Sequence, residues 1–302
     1  MPNYRAIIRT RPAYEQYLPL QRLVHRGEVV FFPGNLSVPA FSTDARGFRH
    51  TAFGEETLSV SDIVKRERYG LVLGTSKVFG IGLAGNKDTM SSLLSERFGF
   101  PFANVALPHG TSRNLSALLT AFLGRAANAP AAVVHSSNGD FSAFAYGSSA
   151  DPVFGPPNII QSRKMAMQPG ALPDAERSVQ AVLAFTSLWT GWIVQQCRAR
   201  KTPLLLLHDS SFFEKRAPSP VELECGLGTS EHPVEQRWFA NHKRFVDQFY
   251  DRRERLAERM KVPLAGPGKR NDLTFIDEFH LDEIGTRSLA DDIAEGLEPL
   301  LK

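Results

Sequence analysis

From residue 68 onward, short apolar runs alternate with segments of helical periodicity, and this alternation limits the possible folds more than any other feature. Strands separated by helices predict an α/β fold, in which a mainly parallel sheet lies between two layers of helices. The clearest helical spacing is that of Leu115, Leu118, Leu119 and Phe122. The predicted strands are residues 69–73, 102–107, 131–134, 204–207 and 273–276. The predicted helices are residues 88–97, 115–122, 179–198, 238–249 and 289–297.

The first 65 residues follow a different pattern. A short run typical of a strand, residues 29–32, is followed by two turn-rich segments, residues 33–35 and 42–47. This pattern predicts a small β-hairpin extension over residues 1–65, packed on a single α/β domain that spans residues 66–302.

Composition excludes several classes of protein. The 302 residues are 42% hydrophobic and carry a formal net charge of +3, with charges of both signs mixed along the chain. No long basic block is present, so no nucleic-acid partner is predicted. No apolar stretch approaches the roughly 18 residues of a membrane span, and the N-terminus lacks the apolar core of a signal peptide. The expected location is therefore the cytoplasm, while the oligomeric state stays open.

The two cysteines, Cys197 and Cys225, belong to no CxxC pair. A disulfide framework and a structural zinc site are therefore not expected.

A serine follows the first predicted strand, in the segment Gly74-Thr75-Ser76. A tight turn from strand to helix can present a serine as a nucleophile, with backbone N–H groups near enough to stabilise an oxyanion. An ordinary turn is the alternative interpretation of the same residues. The segment matches neither the G-x-S-x-G motif of α/β hydrolases nor a phosphate-binding P-loop.

An aspartate and a histidine, Asp277 and His280, follow the last predicted strand. Their spacing allows the carboxylate to hold the imidazole in one tautomer while the other ring nitrogen faces a serine. In sheets of this kind the working residues lie in loops beyond the carboxyl ends of the strands. Ser76 and His280 are therefore candidates for one site.

The order of these segments resembles that of the SGNH (GDSL-like) hydrolases. The resemblance rests on a serine after the first core strand, Gly110 after the second, Asn138 after the third, and an Asp-x-x-His segment near the C-terminus. It covers about residues 65–302, and the early residues 47–49 resemble the β extension of one bacterial branch. The resemblance implies a three-layer α/β/α sandwich of the SGNH or flavodoxin-like kind, with five strands.

The resemblance also implies a role for each residue. Ser76 is then the nucleophile, His280 the general base and Asp277 the acid that orients it. The backbone N–H groups of Ser76 and Gly110 and the side-chain amide of Asn138 form the oxyanion hole.

Three residues depart from the family pattern. Thr75 stands where the family usually has an aspartate, and Ser136 and Gly139 replace the usual glycine and aspartate around the asparagine. These departures support a different possibility, a catalytically inactive binding protein of the same fold.

Three histidines, His109, His135 and His208, also follow predicted strands. They are candidates for a metal site or, alternatively, for hydrogen-bonded loop residues. No metal site is predicted, because no His-x-His or His-x-x-x-His spacing pairs them. His135 and His208 are instead candidates for lining a substrate pocket, together with Phe141.

Residues 139–173 contain aromatic residues and prolines but no clear helix. A loop of this length inside a compact domain is often functional. It is interpreted as a lid over the acyl pocket, with a surface wrap that has no role in binding as the alternative.

Together these features predict a serine esterase that works by two-step acyl transfer and needs no cofactor. The expected substrate is a small-molecule ester or an acylated sugar. An O-acyltransferase that tailors a polysaccharide precursor or a natural product is a second possibility. A serine-directed probe separates the inactive protein from both enzymes, and product analysis with added alcohols separates transferase from hydrolase.

Overall fold

The N-terminal part of the chain consists of short helices and two small hairpins. The computed structural model describes residues 4–20, 31–107, 110–137, 139–140, 175–208, 211–215, 217–228, 233–266 and 273–302. The first helical segments are α1 (Tyr4–Thr10), a 3-10 helix (Pro12–Tyr17) and α2 (Val60–Ile63). The antiparallel hairpins are formed by β1 (Ser37–Val38) with β2 (Phe41–Ser42), and by β3 (Thr51–Phe53) with β4 (Glu56–Leu58).

The strand predicted at residues 29–32 is not formed at its described positions. Phe31 and Phe32 lie outside any strand. Phe32 is buried, and its ring packs on Phe79 with the centroids 3.9 Å apart. The hydrophobic character of this run therefore reflects packing against the core and not strand pairing.

A sheet of five parallel strands forms the centre of the fold, as the alternation of strands and helices predicted. The strands are β5 (Gly70–Gly74), β6 (Phe102–Ala106), β7 (Ala132–Ser136), β8 (Leu204–Leu207) and β9 (Leu264–Ala265). Their order in the sheet is β6-β5-β7-β8-β9. Gly70, the first residue of β5, is in register with Phe102 on one side and Ala132 on the other. The loops after β5, β6 and β7 consequently leave the sheet side by side.

The fifth strand is not the predicted one. Residues 273–276 form only an isolated bridge, between Phe275 and Leu281. Side chains satisfy this backbone: the Phe275 N–H donates to Glu222 Oε1 at 2.9 Å, and the Leu273 carbonyl accepts from Lys215 Nζ at 2.7 Å. The run is apolar because it is buried, and its backbone also bonds the segment that follows it, since the Ile276 N–H donates to the His280 carbonyl at 2.8 Å.

Alternate side chains of the strands face opposite layers. Val72 of β5 belongs to a core cluster that includes Leu289 and Ile293, whereas Leu71 and Leu73 belong to a second cluster that includes Leu115. The period of two along a strand thus separates one hydrophobic core on each face of the sheet. This is the predicted three-layer α/β/α arrangement.

The predicted helices are present, several of them longer than expected. The helices after β5 are α3 (Ser76–Phe79), α4 (Met90–Phe98), α5 (Ser112–Arg125), α6 (Ala175–Ala199), α7 (Pro220–Glu224), α8 (Pro233–Met260) and α9 (Glu283–Leu297). Capping residues account for two of the early starts. Thr111 accepts from the Asn114 N–H ahead of α5, and Asp282 accepts from the Gly285 N–H ahead of α9.

None of the helices in the described part of the chain is long and apolar enough to cross a membrane. The predicted lid, apart from residues 139–140, lies outside the described residues, as do His109, Asn138 and Phe141.

Candidate active site

Ser76 lies at the carboxyl end of β5, where the chain turns directly into helix α3. It is the first residue of that helix and is partly exposed. The turn is tight at Gly74, since a Cβ there would lie 2.3 Å from Cγ2 of Val78 and 3.1 Å from Cβ of Ser136. The short helix then ends at Gly80, in the left-handed conformation with φ +84°. These restraints hold the serine hydroxyl at the edge of the sheet.

A buried arginine fixes the far end of the same short helix. The Arg49 side chain has no exposed surface, and its Nη1 donates to the carbonyls of Phe79 and Gly80 at 3.1 and 2.7 Å. Its Nη2 donates to the carbonyls of Ala40 and Gly85 at 2.9 and 2.8 Å. Burial lowers the pKa of Arg49, an effect that interaction with Tyr17 opposes. The N-terminal extension thereby braces the turn that carries Ser76, which the sequence did not indicate.

The structure brings together the three residues predicted as a catalytic group. His280 Nε2 lies 2.8 Å from Ser76 Oγ, and His280 Nδ1 lies 2.7 Å from Asp277 Oδ2. Ser76 and His280 are 204 positions apart in the chain. Ser76 directly follows the carboxyl end of β5, whereas His280 belongs to a later segment that follows no strand of the sheet directly but passes beside Ser76.

Asp277 is buried, and hydrogen bonds surround its carboxylate. Oδ1 accepts the N–H groups of Phe279 and His280 at 2.9 and 2.8 Å, and Oδ2 accepts the Tyr14 hydroxyl at 3.0 Å besides the His280 ring. Burial alone would raise the pKa of Asp277, but attraction to His280 and these hydrogen bonds outweigh it and hold the pKa below its usual range. An ionised Asp277 requires Nδ1 of His280 to donate, which leaves Nε2 able to accept the Ser76 proton.

The loops after β5, β6 and β7 meet beside Ser76. A Cβ on Gly139 would lie 1.7 Å from the Gly110 carbonyl oxygen and 3.0 Å from Cγ2 of Thr75. Only a residue without a side chain fits at such a contact. Gly110 is thus close to the nucleophile turn, but its N–H donates to the Leu107 carbonyl at 3.2 Å. The backbone donor predicted for the oxyanion hole is therefore engaged within its own loop.

A buried polar cluster links the loops after β6 and β7. Asp140 accepts the Ser112 N–H on Oδ1 at 2.6 Å and the Ser112 hydroxyl on Oδ2 at 2.5 Å. Since the Ser112 proton is directed to Asp140, the 3.1 Å contact with His135 Nε2 requires the ring to donate. Burial raises the pKa of Asp140 to about 6, although the Ser112 hydrogen bonds oppose this. Burial and, secondly, Arg253 lower the pKa of His135 to about 3, so this ring is neutral.

His135 and His208, the two histidines predicted to line the substrate pocket, both contact side chains inside the protein. His135 has no exposed surface and contacts Ser112, as described above. His208 is 5% exposed, lies 2.9 Å from Glu214 Oε1 and stacks on Tyr250 with the centroids 4.2 Å apart. Both rings are buried, so neither is exposed to a substrate in solution.

An apolar cluster that the sequence analysis did not identify lies beside His280. Phe279, the residue before His280, contacts Phe213 with ring centroids 5.9 Å apart. Val182 and Val246, from helices α6 and α8, belong to the same cluster. Phe279 is only partly buried, so the cluster includes a partly exposed aromatic side chain at the position before His280.

Other nucleophiles and metal ligands are less suited to catalysis. Both cysteines are buried, and burial raises the pKa of the Cys197 thiol to about 12. Within the described ranges, no group of three or more His, Cys, Asp or Glu side chains is arranged to hold a metal ion. The Ser76 hydroxyl is therefore the best-placed nucleophile in the described site.

Neither a family model nor a curated protein matches this sequence. Solved structures that resemble it include a phospholipase A1 from Streptomyces albidoflavus NA297, at 11% identity over 76% of this chain and 98% of that chain, with a TM-score of 0.48. A carbohydrate acetylesterase family member from Sinorhizobium meliloti is 17% identical over 78% and 97% of the two chains, with a TM-score of 0.42.

A GDSL-like lipase from Bacteroides thetaiotaomicron VPI-5482 is 11% identical over 77% of this chain and 88% of that chain, with a TM-score of 0.42.

Proposed function

We propose that this chain is a serine ester hydrolase that forms a covalent acyl intermediate on Ser76. The observation that carries the proposal is the connected series Ser76 Oγ, His280 and Asp277, with contacts of 2.8 and 2.7 Å. A hydroxyl whose proton faces an unprotonated ring nitrogen, itself oriented by a carboxylate, is the arrangement that activates serine.

The first half of the reaction transfers the acyl group to the enzyme. Ser76 Oγ attacks the ester carbonyl carbon while His280 Nε2 takes the hydroxyl proton, and negative charge develops on the carbonyl oxygen. The bond to the alcohol oxygen then breaks, and His280 returns its proton to the departing alkoxide. The products of this half are an acyl-Ser76 ester and a free alcohol.

The second half reverses these roles. Water attacks the acyl-Ser76 carbonyl as His280 takes a proton from it, and the carbon–oxygen bond to Ser76 breaks. His280 gives the proton back to Ser76, which releases a carboxylic acid. Asp277 stabilises the imidazolium in both halves, because it stays ionised and hydrogen-bonded to Nδ1.

Three groups are proposed as donors to the oxyanion. The Ser76 N–H is a candidate, since the first N–H groups of a helix have no partner within it. Gly110 contributes its N–H only if that group leaves the Leu107 carbonyl on substrate binding. Asn138 is proposed as the third donor on the family resemblance.

The proposed substrate is a small-molecule ester or an acylated sugar. Phe279, a partly exposed aromatic residue at the position before His280, supports an apolar acyl group. If an alcohol replaces water in the second half, the same steps yield a transferred ester.

Hydrolysis of p-nitrophenyl esters from acetate to octanoate tests this function. We expect turnover by the wild-type protein and a loss of about 10⁴–10⁶-fold in kcat for Ser76→Ala, as for triad serines generally. Ser59→Ala is the control, because Ser59 is a partly exposed serine that only caps helix α2. Wild-type turnover that survives in Ser76→Ala would remove Ser76 from the mechanism. Formation of an acylglycerol when glycerol is added to the assay would indicate that the enzyme transfers the acyl group to alcohols as well as to water.

A further inference from the structure

The N-terminal 3-10 helix Pro12–Tyr17 packs directly on the segment that carries Asp277 and His280. The Tyr14 side chain has no exposed surface, and its hydroxyl donates to Asp277 Oδ2 at 3.0 Å. A few residues further along that segment, Arg11 bonds Asp282 at 2.7 Å. Two contacts from one short stretch of chain therefore fix both ends of the segment around His280.

Tyr14 completes the hydrogen bonding of the Asp277 carboxylate. Among the described residues, Oδ1 accepts two backbone N–H groups, and Oδ2 accepts the His280 ring and the Tyr14 hydroxyl. A carboxylate offers about four lone-pair sites, so every site has a donor. Without the Tyr14 hydroxyl, Asp277 Oδ2 would keep only one of these four hydrogen bonds, the one to the His280 ring.

We propose that Tyr14 is a positioning residue of the active site, whose hydroxyl holds the Asp277 carboxylate in the orientation that aligns His280 with Ser76. This inference rests on the proposed function for its effect on turnover. Tyr14 acts through Asp277 and touches neither Ser76 Oγ nor the His280 ring in the hydrogen bonds described. The N-terminal extension thereby becomes part of the catalytic apparatus.

The competing explanation is that Tyr14 only fills the core. Its ring does pack under Gly82, where a Cβ would lie 3.1 Å from Tyr14 Cδ2. Tyr14→Phe keeps this ring and removes only the hydroxyl, so packing and positioning can be separated.

Tyr69 provides a matched control away from the site. It is 1% exposed, and its hydroxyl donates to the Asn128 carbonyl at 2.8 Å. Tyr69 directly precedes β5, at the end of that strand opposite to Ser76. Tyr69→Phe therefore removes the same chemical group from a buried tyrosine without touching Asp277 or Arg49.

The experiment compares wild type, Tyr14→Phe and Tyr69→Phe as full-length proteins with p-nitrophenyl acetate. We expect Tyr14→Phe to lower kcat about tenfold, the effect of roughly one hydrogen bond to a charged group. KM should stay unchanged, because the alignment matters in the transition state. Tyr69→Phe should keep kcat even where its melting temperature falls. Equal kcat in Tyr14→Phe and wild type, or an equal kcat loss in Tyr69→Phe, would overturn the proposal.

A second readout needs no turnover. The downfield proton resonance of His280 Nδ1–H, assigned by its absence in His280→Ala, reports on the bond to Asp277. We expect it to shift in Tyr14→Phe and to stay in place in Tyr69→Phe. If the resonance shifts in Tyr14→Phe but the wild-type protein has no esterase activity, the proposed function is refuted and the positioning role stands. An unshifted resonance in Tyr14→Phe would refute the positioning role itself.

Discussion

The two sides of the candidate site are built in different ways. On the acid–base side, Ser76, His280 and Asp277 contact one another directly, and the contacts join loops that are distant in sequence. On the proposed oxyanion side, the loops after β6 and β7 are joined by buried hydrogen bonds between Ser112 and Asp140. The acid–base side is therefore assembled before substrate arrives, whereas the Gly110 N–H still bonds the Leu107 carbonyl.

This difference indicates which side of the site would rearrange when substrate binds. In the proposed mechanism the acid–base side needs no rearrangement, because Ser76 Oγ already lies 2.8 Å from His280 Nε2. The proposed oxyanion hole needs the Gly110 N–H to leave the Leu107 carbonyl, and transition-state charge would compete for that donor. Substitutions on the two sides should consequently differ in size and in what they affect.

The largest effect is expected on the acid–base side, from His280→Ala. Loss of the base should lower kcat by about 10⁴–10⁶-fold, similar to loss of a triad nucleophile. The melting temperature should change little, since His280 is partly exposed. Steady-state kinetics and thermal unfolding on the same preparation check both expectations. A residual kcat within tenfold of wild type would mean that another group accepts the Ser76 proton.

On the oxyanion side, Asn138→Ala separates a catalytic asparagine from a turn asparagine. If the amide donates to the oxyanion, kcat should fall about 10²–10³-fold with little change in KM or melting temperature. If the side chain only caps a turn, the variant should lose about 1 kcal/mol of stability and keep its turnover per folded molecule. The second result would place the oxyanion hole elsewhere.

A smaller effect, but one on the same loops, is expected from Gly139→Ala. The new methyl group would lie 1.7 Å from the Gly110 carbonyl oxygen, so the two loops must separate. A displacement of this kind near reacting groups costs about 10²-fold in rate. Gly124→Ala is the control, because a Cβ added at this position in helix α5 would have nothing within 4 Å. Equal kcat values for the two variants would contradict the close contact between the loops.

The smallest effect concerns stability and pH at Asp140. Its pKa is raised from 3.8 to about 6 by burial, so between these pH values the folded state binds a proton that the unfolded state lacks. Its contribution to stability is complete below about pH 4 and is lost as pH rises through about 6. The unfolding free energy of the wild-type protein minus that of Asp140→Asn should therefore fall from pH 4 to pH 7. Urea titrations at several pH values measure it, and a constant difference would contradict a buried, titrating Asp140.

Ser76 could be predicted because a parallel sheet brings the loops after its strands to one edge, and Ser76 follows β5 directly. Asp277 and His280 could be predicted from their local spacing, although the run before them is not a strand of the sheet. The fifth strand could not be predicted, since β9 has two residues and the more apolar run at 273–276 satisfies its backbone with side chains.

The supporting residues could not be predicted for a different reason. Arg49 and Tyr14 act over separations of 31 and 263 positions, from a region without strand or helix periodicity. A buried arginine or tyrosine in such a segment gives no sign in sequence of what it contacts.

Activation of the Ser76 nucleophile by His280 is the central feature of the proposed function. Labelling with a fluorophosphonate, followed by intact-mass analysis and peptide mapping, tests this without knowledge of the natural substrate. We expect one label per wild-type molecule, located on Ser76, with labelling absent in Ser76→Ala and strongly slowed in His280→Ala. A label on another residue, or undiminished labelling in Ser76→Ala, would contradict the account.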